Sequence, residues 1–207
     1  MKTRLLILGI TALASGALLA AATPKIGAPS PEFSLNDSHG QTHSLGDFKG
    51  KYVVLEWFNP GCPFVQKHYK SENMQALQKR FTAQGVVWLT IDSSAPASQG
   101  YLTPAEANKQ MAEWNMKSTA LLLDPQGNVG HKYGATNTPH MYVIDPKGKL
   151  IYSGAIDSRP TTDPDDIKSA TNYVASALEE AMSGKPVSTA ISRAYGCSIK
   201  YALSPRN

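Results

Sequence analysis

The sequence predicts an α/β fold built as one domain. Two observations point to it: short apolar runs rich in branched residues recur along the chain, and a stretch with helical spacing joins the first two. The runs are KYVVLEWF (51–58), GVVWLTID (85–92), TALLLD (119–124), HMYVID (140–145) and KLIYSGAI (149–156). A strand, a helix and a strand in that order imply parallel pairing of the two strands.

The elements follow in chain order. The chain opens MKTRLLILGITALASGALLAAATP, with Lys2 and Arg4 before an apolar stretch from Leu5 to Leu19 and a small-residue cleavage pattern at Ala20–Ala22. That is the pattern of a secretory signal peptide over residues 1–22, and it implies export to an oxidising space such as a periplasm. A retained anchor would need about 20 apolar residues, so no stable membrane insertion is expected after removal of the leader. Residues 23–183 then form the domain, and 184–207 form a short irregular tail that carries Cys197.

After the strand at 51–58, PFVQKHYKSENMQALQKRFTAQG (63–85) places Phe64, Tyr69, Leu77 and Phe81 at roughly helical spacing, and Gly85 closes the helix. TPAEANKQMAEW (103–114) begins with Thr103, has Pro104 in the first turn and Glu106 three residues after the cap, which is a capping-box helix inserted before the third strand. DPKG (145–148) is a tight turn joining the last two strands. DPDDIKSATNYVASALEEAMSG (163–184) reads as a closing helix with acidic residues at its start.

Charge excludes some function classes. The whole chain has 20 basic and 16 acidic residues, and loss of Lys2 and Arg4 would leave a formal charge of +2. Without a run of basic residues there is no footprint for nucleic acid or for an anionic membrane.

The chain has only two cysteines, and the compartment is oxidising. A domain of this size can bury a full core without disulfide staples, so these cysteines suggest chemistry. Cys62 lies in FNPGCPFVQKHY, between Pro60-Gly61 and Pro63, at the mouth of the helix after a central strand. Reaction sites in open α/β sheets gather at these carboxyl ends. Pro63 suits the first helical turn, and the free amides and positive dipole end of the helix favour a thiolate at Cys62. The flanking prolines and glycine argue for a shaped, partly exposed loop. Glu56 breaks the apolar strand six residues earlier, and an acid there must titrate high or find a partner. Lys67 and His68 read as part of a solvated helix face.

VVLEWFNPGCPFVQK resembles the active-site segment of the thioredoxin superfamily, with Val65 where a second cysteine would stand. PSPEFSLNDSHGQTHSLGDFKGKYVVLEWF is similar to the entry segment of its redoxin branch, the alkyl hydroperoxide reductase/thiol-specific antioxidant-like group. ATNTPHMYVIDPKGKLIYSGAID is similar to the segment that carries the cis-proline in exported thioredoxin-like proteins. The resemblance implies a thioredoxin-like fold: a central mixed sheet flanked by helices, with an N-terminal extension, the inserted helix and the tail as additions. It implies a cis bond at Thr138-Pro139, and an extended substrate lying against Thr138, Pro139, His140 and Pro63. It also implies a proton-relay role for Glu56, with His140 near the thiol.

Three functions follow from it. In the first, Cys62 attacks disulfides as a thiol-disulfide oxidoreductase and is resolved by Cys197 or by an outside thiol. Its partners are protein or small-molecule thiols and disulfides and an external reductant, with no cofactor or metal. In the second, Cys62 reduces hydroperoxides, although Asn59 and Leu55 stand where a typical peroxiredoxin has a threonine or serine and a proline. In the third, Cys62, His140 and Cys197 or His68 bind a soft metal such as copper.

Overall fold

The computed structural model describes residues 23–202. Residues 1–22, where a leader is expected, and the last five residues, 203–207, lie outside the described residues. The chain forms a seven-stranded mixed sheet with the order β2-β1-β5-β4-β3-β7-β8, where β1 is Ser34–Asp37, β2 Thr42–Ser44, β3 Val53–Trp57, β4 Val87–Asp92, β5 Ala120–Leu123, β7 His140–Ile144 and β8 Leu150–Gly154. Strands β3, β4 and β5 are parallel, whereas β7 runs antiparallel to β3, and β1 antiparallel to β5. The five apolar runs of the sequence are β3, β4, β5, β7 and β8. The two strands of the N-terminal extension, β1 and β2, are polar and partly exposed, so no apolar run announces them.

Every residue of β3, β4 and β7 is buried, because both faces of the sheet are covered. Alternation divides them. Val54, Trp88, Leu121, Met141 and Val143 face one core, which α1 (Pro63–Lys70), α2 (Asn73–Thr82) and α5 (Tyr173–Met182) close. Leu55, Trp57, Leu89, Ile91, Leu122 and Tyr142 face the other, under α4 (Asn128–Tyr133) and the N-terminal segment with Phe33 and Leu45.

Two expected helices are shorter than their sequence pattern. The stretch 63–85 divides into α1 and α2 at Glu72, whose φ is 60°. The apolar positions explain the break. Val65 and Tyr69 share one helical face, and Met74, Leu77 and Phe81 share another, but the five-residue step from 69 to 74 turns the second face about 140° from the first. One left-handed residue realigns both faces with the sheet. The stretch 163–184 likewise starts as a 3-10 turn over Pro164–Ser169, and the α-helix begins only after Asn172, whose side chain accepts from the Ala175 amide at 2.9 Å. The inserted helix α3 (Pro104–Glu113) has the expected capping box: Glu106 donates its amide to Thr103 Oγ1, and Thr103 donates its own to Glu106 Oε2.

The tail differs most from its sequence reading. Its strand β9 (Cys197–Ser198) pairs antiparallel with β6 (Asn137–Thr138), setting Cys197 opposite Thr138. Beyond it, Ile199 donates to the Thr136 carbonyl, Lys200 accepts from the Ala95 amide, and the Tyr201 ring stacks on His131 with centroids 4.0 Å apart. The segment is irregular, but from Cys197 to Tyr201 it is seated on the domain.

Candidate active site

Strand β3 ends at Trp57, and the chain turns through Asn59-Pro60-Gly61 into α1. Asn59 is fully buried, and its Oδ1 accepts the Gly61 amide at 2.8 Å, which shapes the turn. Cys62 is the N-cap residue of α1, in extended conformation, with Pro63 at the first helical position. The sequence therefore locates the sulfur correctly on the frame. Its exposure is a correction: Cys62 is wholly buried, where a partly exposed loop was expected. The cause is distant in sequence, since Thr138, 76 residues on, and the tail strand at Cys197 cover it. Pro63 itself is exposed.

The Thr138-Pro139 bond is cis. The Cys62 thiol donates to the Thr138 carbonyl at 3.0 Å. With the sulfur donating, no side-chain cap bond forms to the helix. On ionisation the roles reverse. Burial opposes the thiolate most strongly, but the Cys197 thiol, the Val65 and Cys197 amides and the Thr138 hydroxyl are placed to donate to it, and together they bring the Cys62 thiol below its ordinary range. Burial and the neighbouring Cys62 sulfur push the Cys197 thiol up to about 11. The two cysteines are free thiols. Their environments thus separate a readily ionised thiol from a reluctant one.

Gly196 shows how closely the tail sits on this site. Its φ is 116°, and a Cβ there would lie 2.1 Å from the Thr138 carbonyl oxygen. Only glycine permits both the conformation and the approach.

Beside the cysteines lies a buried polar cluster. Lys67, His68 and Asp157 are 2%, 0% and 2% exposed, which corrects the solvated face expected for Lys67 and His68. Asp157 Oδ1 accepts from the Tyr195 hydroxyl at 2.5 Å and from the Arg159 amide at 2.9 Å. Its Oδ2 lies 3.8 Å from both Lys67 Nζ and His68 Nε2. Asn73 donates to His68 Nδ1 at 2.9 Å, which leaves the proton on Nε2, 3.2 Å from the Tyr195 oxygen. Burial, with Asp157 opposing it and Lys67 reinforcing it, lowers His68 to about 4. Nothing in the local pattern singles out Asp157 or Tyr195. Their partners are separated by tens of residues.

Glu56 is fully buried on the same sheet face as Cys62. Its Oε1 accepts from Tyr69 at 2.7 Å, and its Oε2 from Trp88 at 2.7 Å, Gln78 at 3.2 Å and Thr90 at 3.3 Å. Burial raises its pKa against the pull of these donors. No thiol is among its hydrogen-bond partners, so a proton passes between Glu56 and Cys62 only through intervening groups.

His140 does not lie by the thiol. It pairs with Trp57 in the sheet, and its ring stacks on Tyr142 with centroids 4.6 Å apart, on the face away from Cys62. Burial lowers it to about 4. The metal reading loses its donors: Cys62 and Cys197 meet, but His140 is across the sheet and His68 is engaged by Asn73 and Tyr195. Among the described residues no group of three or more histidine, cysteine or acidic side chains could hold a metal.

Comparison with known proteins adds the following. The model of the AhpC/TSA family matches residues 26–153. The thiol-disulfide oxidoreductase ResA of Geobacillus thermodenitrificans is 27% identical over 125 residues, which are 60% of this chain and 66% of that one, so the match spans just under two thirds of the relative. Among solved structures, an uncharacterized conserved protein from Geobacillus kaustophilus matches with a TM-score of 0.73 at 27% identity, over 87% of this chain and 94% of that one. The thioredoxin domain of a thiol-disulfide oxidoreductase from Bacteroides vulgatus matches with a TM-score of 0.51 at 21% identity, over 71% of this chain and 98% of that one, and this likeness bears on the fold alone. The fold is thioredoxin-like. Asp157, Tyr195 and Cys197 lie beyond the segment matched by the family.

Proposed function

The chain belongs to the AhpC/TSA family, and from that premise we propose that it is an exported thiol-disulfide oxidoreductase with Cys62 as nucleophile and Cys197 as resolving thiol. One observation carries the reading: Cys62 at a helix mouth faces Cys197 across the Thr138-Pro139 edge, and their surroundings favour ionisation of the first and not the second. The names of relatives such as ResA support disulfide exchange over peroxide reduction.

The Cys62 thiolate attacks one sulfur of a substrate disulfide, forming a mixed disulfide and releasing the other sulfur as a thiolate. Cys197 then attacks the Cys62 sulfur, its proton passing to the departing substrate thiol. The protein is left with a Cys62–Cys197 disulfide, and the substrate has gained two electrons. An outside dithiol restores the starting state. Thr138, Pro139 and Pro63 border the nucleophile, whereas His140 acts only through the sheet. Glu56 anchors Tyr69, and with it the helix that carries Cys62. Export rests on the sequence of residues 1–22; among the described residues no helix is long and apolar enough to cross a membrane.

Whole-protein mass after a stoichiometric disulfide, before and after dithiothreitol, tests the reading. A gain of about two mass units on reduction, lost in Cys197→Ser, is expected from the chemistry. A Cys62 oxygen adduct formed with limiting hydrogen peroxide, without reaction toward disulfides, would favour the peroxidase instead.

A further inference from the structure

Cys62 is wholly buried in the reduced protein, yet the exchange reading requires an outside disulfide to reach it. What covers it is the tail. Strand β9 pairs with the Thr138 edge, Cys197 faces the sulfur, and Gly196 sits where any side chain would strike the Thr138 carbonyl. The cleft of about 570 Å³ beside this strand is lined by Asn137, Asp157, Arg193, Tyr195 and Gly196 among others, and Cys62 is not one of its lining residues. It runs along the tail and does not open onto the thiol.

One side chain fixes the tail two residues before Cys197. The Tyr195 hydroxyl donates to Asp157 and faces His68 Nε2, while its ring packs on Phe64 of α1 with centroids 5.7 Å apart. Asp157, His68 and Lys67 are all buried and belong to the frame. Tyr195 is the member that the tail supplies. Its contacts tie the tail to the helix that carries Cys62.

The geometry points to Tyr195 as the positioning residue that seats Cys197 on Cys62, and to the seated tail as an intramolecular occupant of the Thr138 edge that keeps outside disulfides off Cys62 until it lifts. The inference rests on the exchange reading above. It gives the latch opposite effects on the two half-steps. Loosening it speeds the first, in which a disulfide reaches the Cys62 thiolate and a mixed disulfide forms with loss of one substrate thiolate. It slows the second, in which Cys197 displaces the remaining substrate thiol, because the seated position supplies a high effective concentration.

The test uses the full reduced chain and two variants. Tyr195→Phe removes the hydroxyl and keeps the ring, and Gly196→Ala disturbs only the seat on Thr138. Labelling of Cys62 by iodoacetamide, compared on the high-pH plateau of each protein where the thiolate is fully formed and followed by peptide mass, is expected to be at least tenfold faster in either variant, with little dependence on low concentrations of urea. Closure is read as loss of glutathione from the Cys62 mixed disulfide formed with glutathione disulfide, and is expected to be at least tenfold slower. Unchanged labelling, or labelling that carries the full urea dependence of global unfolding, overturns the latch. Closure that is unchanged or faster overturns the positioning role. If glutathione disulfide reacts with none of the proteins while labelling responds as stated, the exchange reading fails and the cover stands. If one variant does not fold, the other decides.

Discussion

At the scale of single residues, Cys62 and His140 show how burial acts in opposite directions on function and on stability. Cys62 is buried, but it has four donors to meet its thiolate, so alkylation rate against pH is expected to give a midpoint below the ordinary cysteine value of about 8.5. Cys197→Ala removes one of those donors and is expected to move the midpoint upward. A midpoint that stays put in that variant would separate the two cysteines functionally. His140 accepts the Thr136 amide at Nδ1, 3.3 Å away, and burial keeps it neutral down to about pH 4. The sign follows from linkage. An unfolded histidine takes up its proton near pH 6.5, so between pH 6.5 and 4 the unfolded chain binds the proton that the folded chain refuses, and stability falls as pH falls. The His140 contribution is on the order of 3 kcal/mol across that window. Urea unfolding as a function of pH checks it: His140→Phe should show a slope shallower by close to one proton, and an unaltered slope would mean that the folded protein protonates this ring.

At the scale of elements, the break between α1 and α2 separates two accounts of the same sequence. Glu72 sits at φ 60°, a conformation in which a side chain is strained and glycine is not. Glu72→Gly is therefore expected to stabilise the protein by about 0.5 to 1 kcal/mol, whereas the same change inside an unbroken helix would cost about 1 kcal/mol. The sign of the shift in a denaturant midpoint decides between them. The inserted helix α3 offers a simpler case. Thr103 and Glu106 cap it reciprocally at the surface, so Thr103→Ala is expected to cost about 1 kcal/mol, seen as a melting temperature lower by about 2 to 4 °C. These elements were largely legible in the sequence, because a cap, a turn and a buried run are each specified within a few residues. The break at Glu72 was less so: it follows from a phase mismatch between two faces, which matters only once both must meet the same sheet.

At the scale of the whole molecule, the fully buried positions of the two cores lie between Phe33 and Leu178 with Ile199 added from the tail, and Val187, Tyr195, Cys197 and Tyr201 pack against them partly buried. Removal of everything after Ala194 is thus expected to leave a cooperatively unfolding α/β domain, with an unchanged far-ultraviolet spectrum in its helical features, while Cys62 becomes rapidly titratable by a thiol reagent. Loss of cooperative unfolding in the truncated protein would show instead that the tail belongs to the folding core. The expected result would separate the fold, which the sheet and its helices maintain, from the state of the nucleophile, which the tail sets.

The sequence by itself determined the α/β class, the parallel β3–β4 unit and the place of Cys62 at a helix mouth, and its resemblance to the thioredoxin superfamily implied the cis bond before β7. Each depends on a local pattern: an apolar run, a proline at the first helical position, or a motif whose spacing is short. Only the tertiary structure decided what surrounds those residues. His140 adjoins Pro139 in sequence, but the alternation of β7 turns its ring to the far side of the sheet. Lys67 and His68 look like solvent-facing helix residues until Asp157 and Tyr195 arrive from the end of β8 and from the tail to enclose them. Cys197 meets Cys62 because an irregular segment pairs with the Thr138 edge. Contacts of that range are selected by what the folded sheet leaves uncovered, and no periodicity within the chain encodes them.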